Sequence, residues 1–344
     1  PSRPPTAGSP RPPATRSRWG TVWPVTAVPS ARRPPILLAV PNVSEGRDAS
    51  TIAAIGAALA SVPEAGEPRS VGAGRVRLLD VHSDDDHHRS VYTLAGPPIA
   101  LSDALLEGAA EAVSRIDVVA GAEPRGEHPH VGALDVAPVV YLDERSRGAA
   151  CAEALVLADR IGHELSVPVF LYGELGGADR GSSSTRAELR RGGVAGLARR
   201  IAEGELRPDF GPPRLHPSAG ATLVAARPPL VAFNLQLASP ATVADARRIA
   251  ALIREGGSEG LPGLRAIGVQ LADAAAQVSM NVERPSEVTL GLVVERVRRH
   301  AAVESAELVG LAPRAALAGF PEDLPLIGFD PARHLIERAL DLPR

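Results

Sequence analysis

Five of the nine histidines in this 344-residue chain, His82, His87, His88, His128 and His130, fall in two short polar stretches. The first is GEHPHVG at 126–132. A histidine set between an acid and a proline can have a fixed ring and a tuned pKa, which suits general acid–base work near neutral pH. His128 is the residue so placed, and His130 is its neighbour two positions on. A surface turn with idle histidines would carry the same letters. The second stretch, HSDDDHH at 82–88, brings imidazoles and carboxylates together, a donor set that suits zinc or another first-row divalent ion. Consecutive residues point in different directions, however, and no spacing such as HExxH is present. A solvated acidic turn explains this stretch, and no bound metal is expected.

Two further loops have the composition of ligand contacts. VPNVSEG at 40–46 follows an apolar run and offers Asn42, Ser44 and Glu45 at a strand end, a common place for a ligand. GPPRLHPSAG at 211–220 is too rich in proline and glycine for a generic linker. It either ties two parts of the chain together or forms the lip of a site. No GxGxxG or Walker loop occurs, so nucleotide binding has no support. The single cysteine, Cys151, lies among small apolar residues at helical spacing and reads as a buried structural thiol.

These residues need elements to position them. The runs at 36–40, 76–82, 89–94 and 136–142 read as strands, with 83–88 a polar link. Ile52, Ile55, Ala58 and Leu59 recur at helical spacing after Asp48 or Ser50, and a second helix spans about 102–117. The order β-α-β-β-α-β then returns. Strands fall at 230–237, 264–271, around Val278, Met280 and Val282, and at 303–309. Helices fall at 242–254, with Ile249, Leu252 and Ile253 inward, and from Ser286 to about 300. Between the two sets lie a helix at 149–164, a strand at 168–172 and a loop-rich stretch to 226. The expected fold class is α+β, with two ferredoxin-like sheet-plus-helix subdomains at 36–226 and 227–344.

Composition bounds the rest. At 44% hydrophobic and 22% charged, the chain is ordinary for a globular protein. One cysteine excludes an internal disulfide framework. No window is apolar enough for a membrane span, so a cytoplasmic protein is expected. Residues 1–35 hold six arginines, no acid, ten prolines and both tryptophans; they read as a disordered Pro/Arg-rich tail. The lack of an initial Met suggests a fragment or a mis-called start. The formal charge of −3 leaves −9 on the body, a poor face for nucleic acid.

Taken in order, these motifs resemble the formiminotransferase family, the glutamate formimidoyltransferases and the transferase part of formimidoyltransferase-cyclodeaminase. They are VPNVSEG at 40–46, LLDV at 78–81, RSVYT at 89–93 with GPP at 96–98, and GEHP at 126–129 with GALD at 132–135. VPVFLYGE at 167–174, PDFGP at 208–212 with Pro217-Ser218 and Gly220-Ala221, and AFNL at 232–235 complete the set. The resemblance covers about 36–312 and implies two α/β subdomains forming a crevice in a homodimer. It also implies transfer of a formimidoyl (or formyl) group from N-formimidoyl-L-glutamate to tetrahydrofolate, in histidine breakdown and one-carbon metabolism. The His of GEHP is the family's general base, so that role falls to His128. The proline-rich loop lines the folate site, which assigns Gly211, Pro212, Pro217, Ser218 and Gly220 to it. Arg89 and Arg190 are candidates to hold substrate carboxylates, where a forked guanidinium gives bidentate contacts. No cyclodeaminase region is expected after the second repeat.

The chain also departs from the family pattern. His82 stands where the family has an Asp thought to assist catalysis, and His130 where it usually has Arg. Ala219 replaces the Trp of the folate loop, and Gly193 replaces a Glu. These changes leave room for a diverged folate-binding protein without turnover. They also leave room for a metal-dependent hydrolase using His82, Asp84, Asp86, His87 and His128.

Overall fold

The computed structural model describes residues 34–61, 75–120, 129–176 and 185–341; His128 and the tail at 1–33 lie outside the described residues. The first strand is split into β1 (Leu37–Ala39) and β2 (Asn42–Val43). Pro41 has no N–H to give the ladder, which explains the break. Its carbonyl still accepts from the Tyr92 N–H at 3.0 Å. Helix α1 (Ala49–Ala60) starts at Asp48, whose side chain accepts from the Ser50 N–H. β3 (Arg77–Asp84) and β4 (Arg89–Gly96) form a hairpin, so the polar link shortens to 85–88. α2 (Ala100–Arg115) and β5 (Leu134–Val140) follow.

Next come α3 (Arg147–Glu164), β6 (Val169–Leu171), α4 (Arg186–Leu189), α5 (Gly193–Ala202) and β7 (Thr222–Arg227). The stretch expected to be loop-rich therefore ends in a strand. β7 runs parallel to both β5 and β6 and lies between them, with Val136 opposite Leu223. A strand buried on both faces shows no alternation, so TLVAA carries no strand period in its sequence. The first sheet runs β3, β4, the broken β1–β2 strand, β5, β7, β6.

The second sheet is built from β8 (Val231–Leu237), β9 (Leu264–Gln270), β10 (Ala276–Val282), β11 (Val303–Val309) and the short β12 (Leu326–Ile327), in the order β12, β11, β8, β10, β9. Helix α6 (Val243–Ile253) begins with a capping box between Thr242 and Asp245. Its inward face is Ala246, Ile249, Ala250 and Ile253; Leu252 sits half-buried at the margin. Helix α7 (Leu290–Arg298) starts four residues later than Ser286, because 284–288 form a turn and the Thr289 hydroxyl caps the Leu292 N–H. The chain closes with α8 (Pro331–His334) and α9 (Ile336–Ala339).

The first sheet is covered on one face by α1, α2 and α3. Its other face carries a smaller cluster of Val136, Phe170, Leu223 and Ala225 with Leu189 of α4 and Leu197 of α5. The second sheet buries one face under its own helices. The alternation in β8 and β10 sends Val231, Phe233, Leu235, Val278, Met280 and Val282 into that core and leaves Asn234, Gln236, Gln277, Ser279 and Asn281 on the other side. Residues 34–344 form one unit, and α9 packs Ile336 against Leu38, Ala95 and Val140 of the first sheet. Among the described residues no helix is long and apolar enough to cross a membrane.

Candidate functional site

The polar face of the second sheet looks across a cleft at the first. The cleft encloses about 760 Å³, between Tyr172, Glu174 and Arg186 on one side and Ile267, Ser279 and Asn281 on the other. That is within the range of small-molecule sites. A smaller cavity of about 60 Å³ shares Arg186, Arg190, Arg227 and Asn281 with it and reaches Asn42 and Arg89.

Positive charge dominates this space. Arg190 donates to Asp135, and both side chains are buried. Arg227, at the end of β7, donates through Nη1 to the Pro228 carbonyl at 3.0 Å. Burial pulls the Arg89 guanidinium down to about 10, with a further push from the charge of Arg190. Burial likewise holds Arg227 at about 10. Both remain cationic at neutral pH. The Nε atoms of Arg190 and Arg227 are shielded from solvent and have no hydrogen-bond acceptor. Buried donors of this kind favour an anionic ligand that supplies acceptors. Arg186 completes the set, its guanidinium 6.0 Å from the centre of the Tyr172 ring.

The residues singled out in the sequence divide into three groups. Arg89, Arg190 and Asn42 line the smaller cavity, although Asn42 Nδ2 also donates to the Val40 carbonyl at 2.9 Å. Ser44 and the glycine-rich loops form a second group. The Ser44 hydroxyl donates to the Gly132 carbonyl at 2.7 Å, and Gly132 pairs with Gly220. A Cβ on Gly132 would stand 1.8 Å from the Ala221 carbonyl oxygen, so only glycine fits this contact. The segment carrying His130 is thereby held beside Ser218 and Gly220, with the Ser218 carbonyl accepting from Val118 at 2.9 Å. Gly211 has φ +78° and packs against Gly162 of α3 and the Val167 carbonyl. Pro212 and Pro217 extend from this loop, and neither cavity is lined by residues 211–220. Burial lowers the pKa of His216 within it.

Glu45 and His82 form the third group, and neither lines the two cavities. The Glu45 carboxylate accepts from the N–H groups of Arg47 and Asp48 at 2.8 and 2.9 Å, organising the start of α1. Gly46 beside it passes so close under the β3–β4 hairpin that a Cβ would lie 2.2 Å from the Asp84 carbonyl oxygen. His82, on β3, points its Nε2 toward Glu307 of β11 at 3.6 Å. Asp84 lies on the same side of β3 and accepts from the His87 N–H and ring nitrogen, both at 2.8 Å. Cys151 is half-buried on α3 and burial raises its pKa, in keeping with a structural thiol.

Asp135, Arg186, Arg227 and Glu307 were not singled out from the sequence. Asp135 belongs to the GALD motif, and Arg227 ends an apolar run, a weak signal in an arginine-rich chain. Nothing local marks Glu307, whose partner lies in the other half of the chain.

Residues 36–227 match the family model "Formiminotransferase domain, N-terminal subdomain". The chain belongs to the formiminotransferase family. It is 34% identical over 312 residues to a glutamate formimidoyltransferase from Streptococcus pyogenes serotype M1, covering 89% of this chain and 98% of that protein. A glutamate formimidoyltransferase from Thermoplasma acidophilum is 35% identical over 312 residues, with 88% and 96% covered. Formimidoyltransferase-cyclodeaminase from Mus musculus is 37% identical over 293 residues; 81% of this chain is covered, but only 50% of that longer relative.

Proposed function

We propose that this family member is a glutamate formimidoyltransferase, moving the formimidoyl group of N-formimidoyl-L-glutamate to tetrahydrofolate. The observation that carries this is the similarity along almost the whole length of relatives of that name. The cleft supports it on chemical grounds. The donor carries two carboxylates and the folate tail carries more, and Arg89, Arg186, Arg190 and Arg227 offer guanidinium forks to them.

In the reaction, the N5 lone pair of the reduced folate attacks the formimidoyl carbon and forms the new C–N bond. N5 must then lose its proton as the tetrahedral intermediate collapses, and the glutamate nitrogen must gain one as its bond to that carbon breaks. His128, the base implied by the GEHP motif, takes the first proton and returns it to the leaving amine. The neighbouring segment, carrying His130, is positioned by Ser44, Gly132 and Gly220. His82 stays in this reading as an assisting residue, and the loop with Gly211, Pro212, Pro217 and Ser218 as a folate-side wall.

We read the two sheets as ferredoxin-like subdomains, 36–226 and 227–344. Strand order supports this: in each, the first strand lies between the third and the fourth. A cytoplasmic homodimer acting in histidine breakdown rests on the family resemblance alone.

The deciding experiment mixes purified protein with formimidoylglutamate and tetrahydrofolate and follows the ultraviolet change of a formimidoyl- or methenyl-folate product. Turnover is expected. Folate binding without turnover would instead indicate a diverged binding protein, the reading raised by His82 and Ala219.

A further inference from the structure

We propose that His82, Asp84 and Glu307 form a binding site for a first-row divalent cation at the seam between the two sheets. His82 and Asp84 are two residues apart on one side of β3, and Glu307 comes from β11 in the other half of the chain. Donor atoms of the three side chains all lie within 4.8 Å of one another. The sequence led to the opposite expectation, no metal, because the acids adjacent to His82 cannot converge on one point. The fold supplies the missing ligand from 225 positions away.

The spacing suits two ligands of a shared cation. His82 Nε2 stands 3.6 Å from Glu307 Oε1, is shielded from solvent and makes no hydrogen bond. Other imidazole–carboxylate pairs span 2.8 Å for His87 with Asp84, 3.0 Å for His300 with Glu259 and 3.1 Å for His163 with Asp159, up to 3.5 Å for His88 with Glu45 and 3.9 Å for His334 with Asp80. Two ligands about 2.1 Å from one ion at a tetrahedral angle are separated by about 3.4 Å. The gap between His82 and Glu307 therefore matches two ligands of one metal.

The surroundings have the outer contacts that metal ligands use. Asn234 Nδ2 donates to the second Glu307 oxygen at 2.9 Å, leaving Oε1 directed at His82. Asp84 is oriented by the backbone N–H and ring of His87. Such contacts fix ligand direction and tune affinity. With neutral His82 the set carries two negative charges, matched by a divalent ion. One imidazole nitrogen with carboxylate oxygens suits Zn²⁺ or Mn²⁺ rather than a soft monovalent ion. The side chains are partly open to solvent, at 20%, 20% and 33% exposure, so an ion has a way in and a place for water to complete its shell.

The test uses full-length protein stripped with chelator, dialysed and titrated calorimetrically with Zn²⁺ and, separately, Mn²⁺, with bound metal counted by elemental analysis. One equivalent per chain is expected for at least one of the two ions. His82→Ala and Glu307→Gln should each weaken binding at least 10-fold, and Asn234→Ala roughly 10-fold. Asp85→Asn, an exposed acid outside the cluster, should leave it unchanged. The ion should also raise the melting temperature of the parent protein but not of His82→Ala. Folded variants whose affinity matches the parent, or no saturable binding of either ion, overturn the proposal. None of these measurements depends on transferase turnover, so the metal site and the proposed activity stand or fall separately.

Discussion

Arg190, just beyond α4, donates to Asp135 near the start of β5, and the other oxygen of Asp135 accepts the Val131 N–H at 2.8 Å. One carboxylate thus fixes both a cleft-lining guanidinium and the strand entry that follows residues 121–128. Removing the cation would strand a buried charge. Arg190→Ala should cost about 3–5 kcal/mol in a urea unfolding series. Adding Asp135→Asn should restore part of that loss, which a double-mutant cycle would measure.

Arg227 and Arg89 have no carboxylate partner within ion-pair distance among the described residues, so their role should be clearest in substrate binding. Arg227→Ala and Arg89→Ala should each lower kcat/KM by roughly 10- to 100-fold, chiefly through KM for the glutamate donor. An unchanged KM in both variants would remove the arginines from the carboxylate-holding role.

His128→Ala should reduce kcat by about 100- to 10,000-fold with thermal unfolding unaltered. The parent enzyme's acidic limb in kcat against pH should disappear with the imidazole. A variant retaining that limb would assign the proton transfer to another group.

Asp48 caps α1, and hydrogen bonds from the Thr51 and Ser50 side chains and the Ser50 backbone hold its carboxyl at about 2, below its ordinary 3.8. Because the folded-state value is depressed, the stabilisation is full above pH 4 and fades as pH falls toward 2. Asp48→Ala should melt a few degrees lower at neutral pH. The two proteins should converge on acidification, as followed by circular dichroism.

Gly132→Ala forces a methyl group into the Ala221 carbonyl. It should cost about 1–3 kcal/mol or more and impair turnover, since the pairing of Gly132 with Gly220 must open. Equal stability in chemical denaturation would show that the segment can shift freely.

Local periodicity and capping residues made most elements readable before the structure. Asp48 and Thr242 stand at real helix starts, and the strand at 303–309 has the expected limits. β7 was hidden because a parallel strand buried on both sides carries no alternating code. The arginines of the cleft were half legible: Arg89 and Arg190 lie in or near recognisable motifs, while Arg186 and Arg227 acquire meaning only once two sheets face each other. His82 and Glu307 show the limit of reading along a chain, since their relation is created by tertiary placement.

The placement of α9 on the first sheet also has a mechanical consequence. The peptide leaves the second sheet and returns to the first, where Arg333 reaches Asp80 at 2.8 Å and Arg77 reaches the Ala339 carbonyl at 3.1 Å. The two halves are therefore fastened at both the 228–230 crossover and this returning tail. Relative movement of the two halves is thus restrained at two separate connections, of which the crossover itself borders the cleft through Pro228 and Leu230.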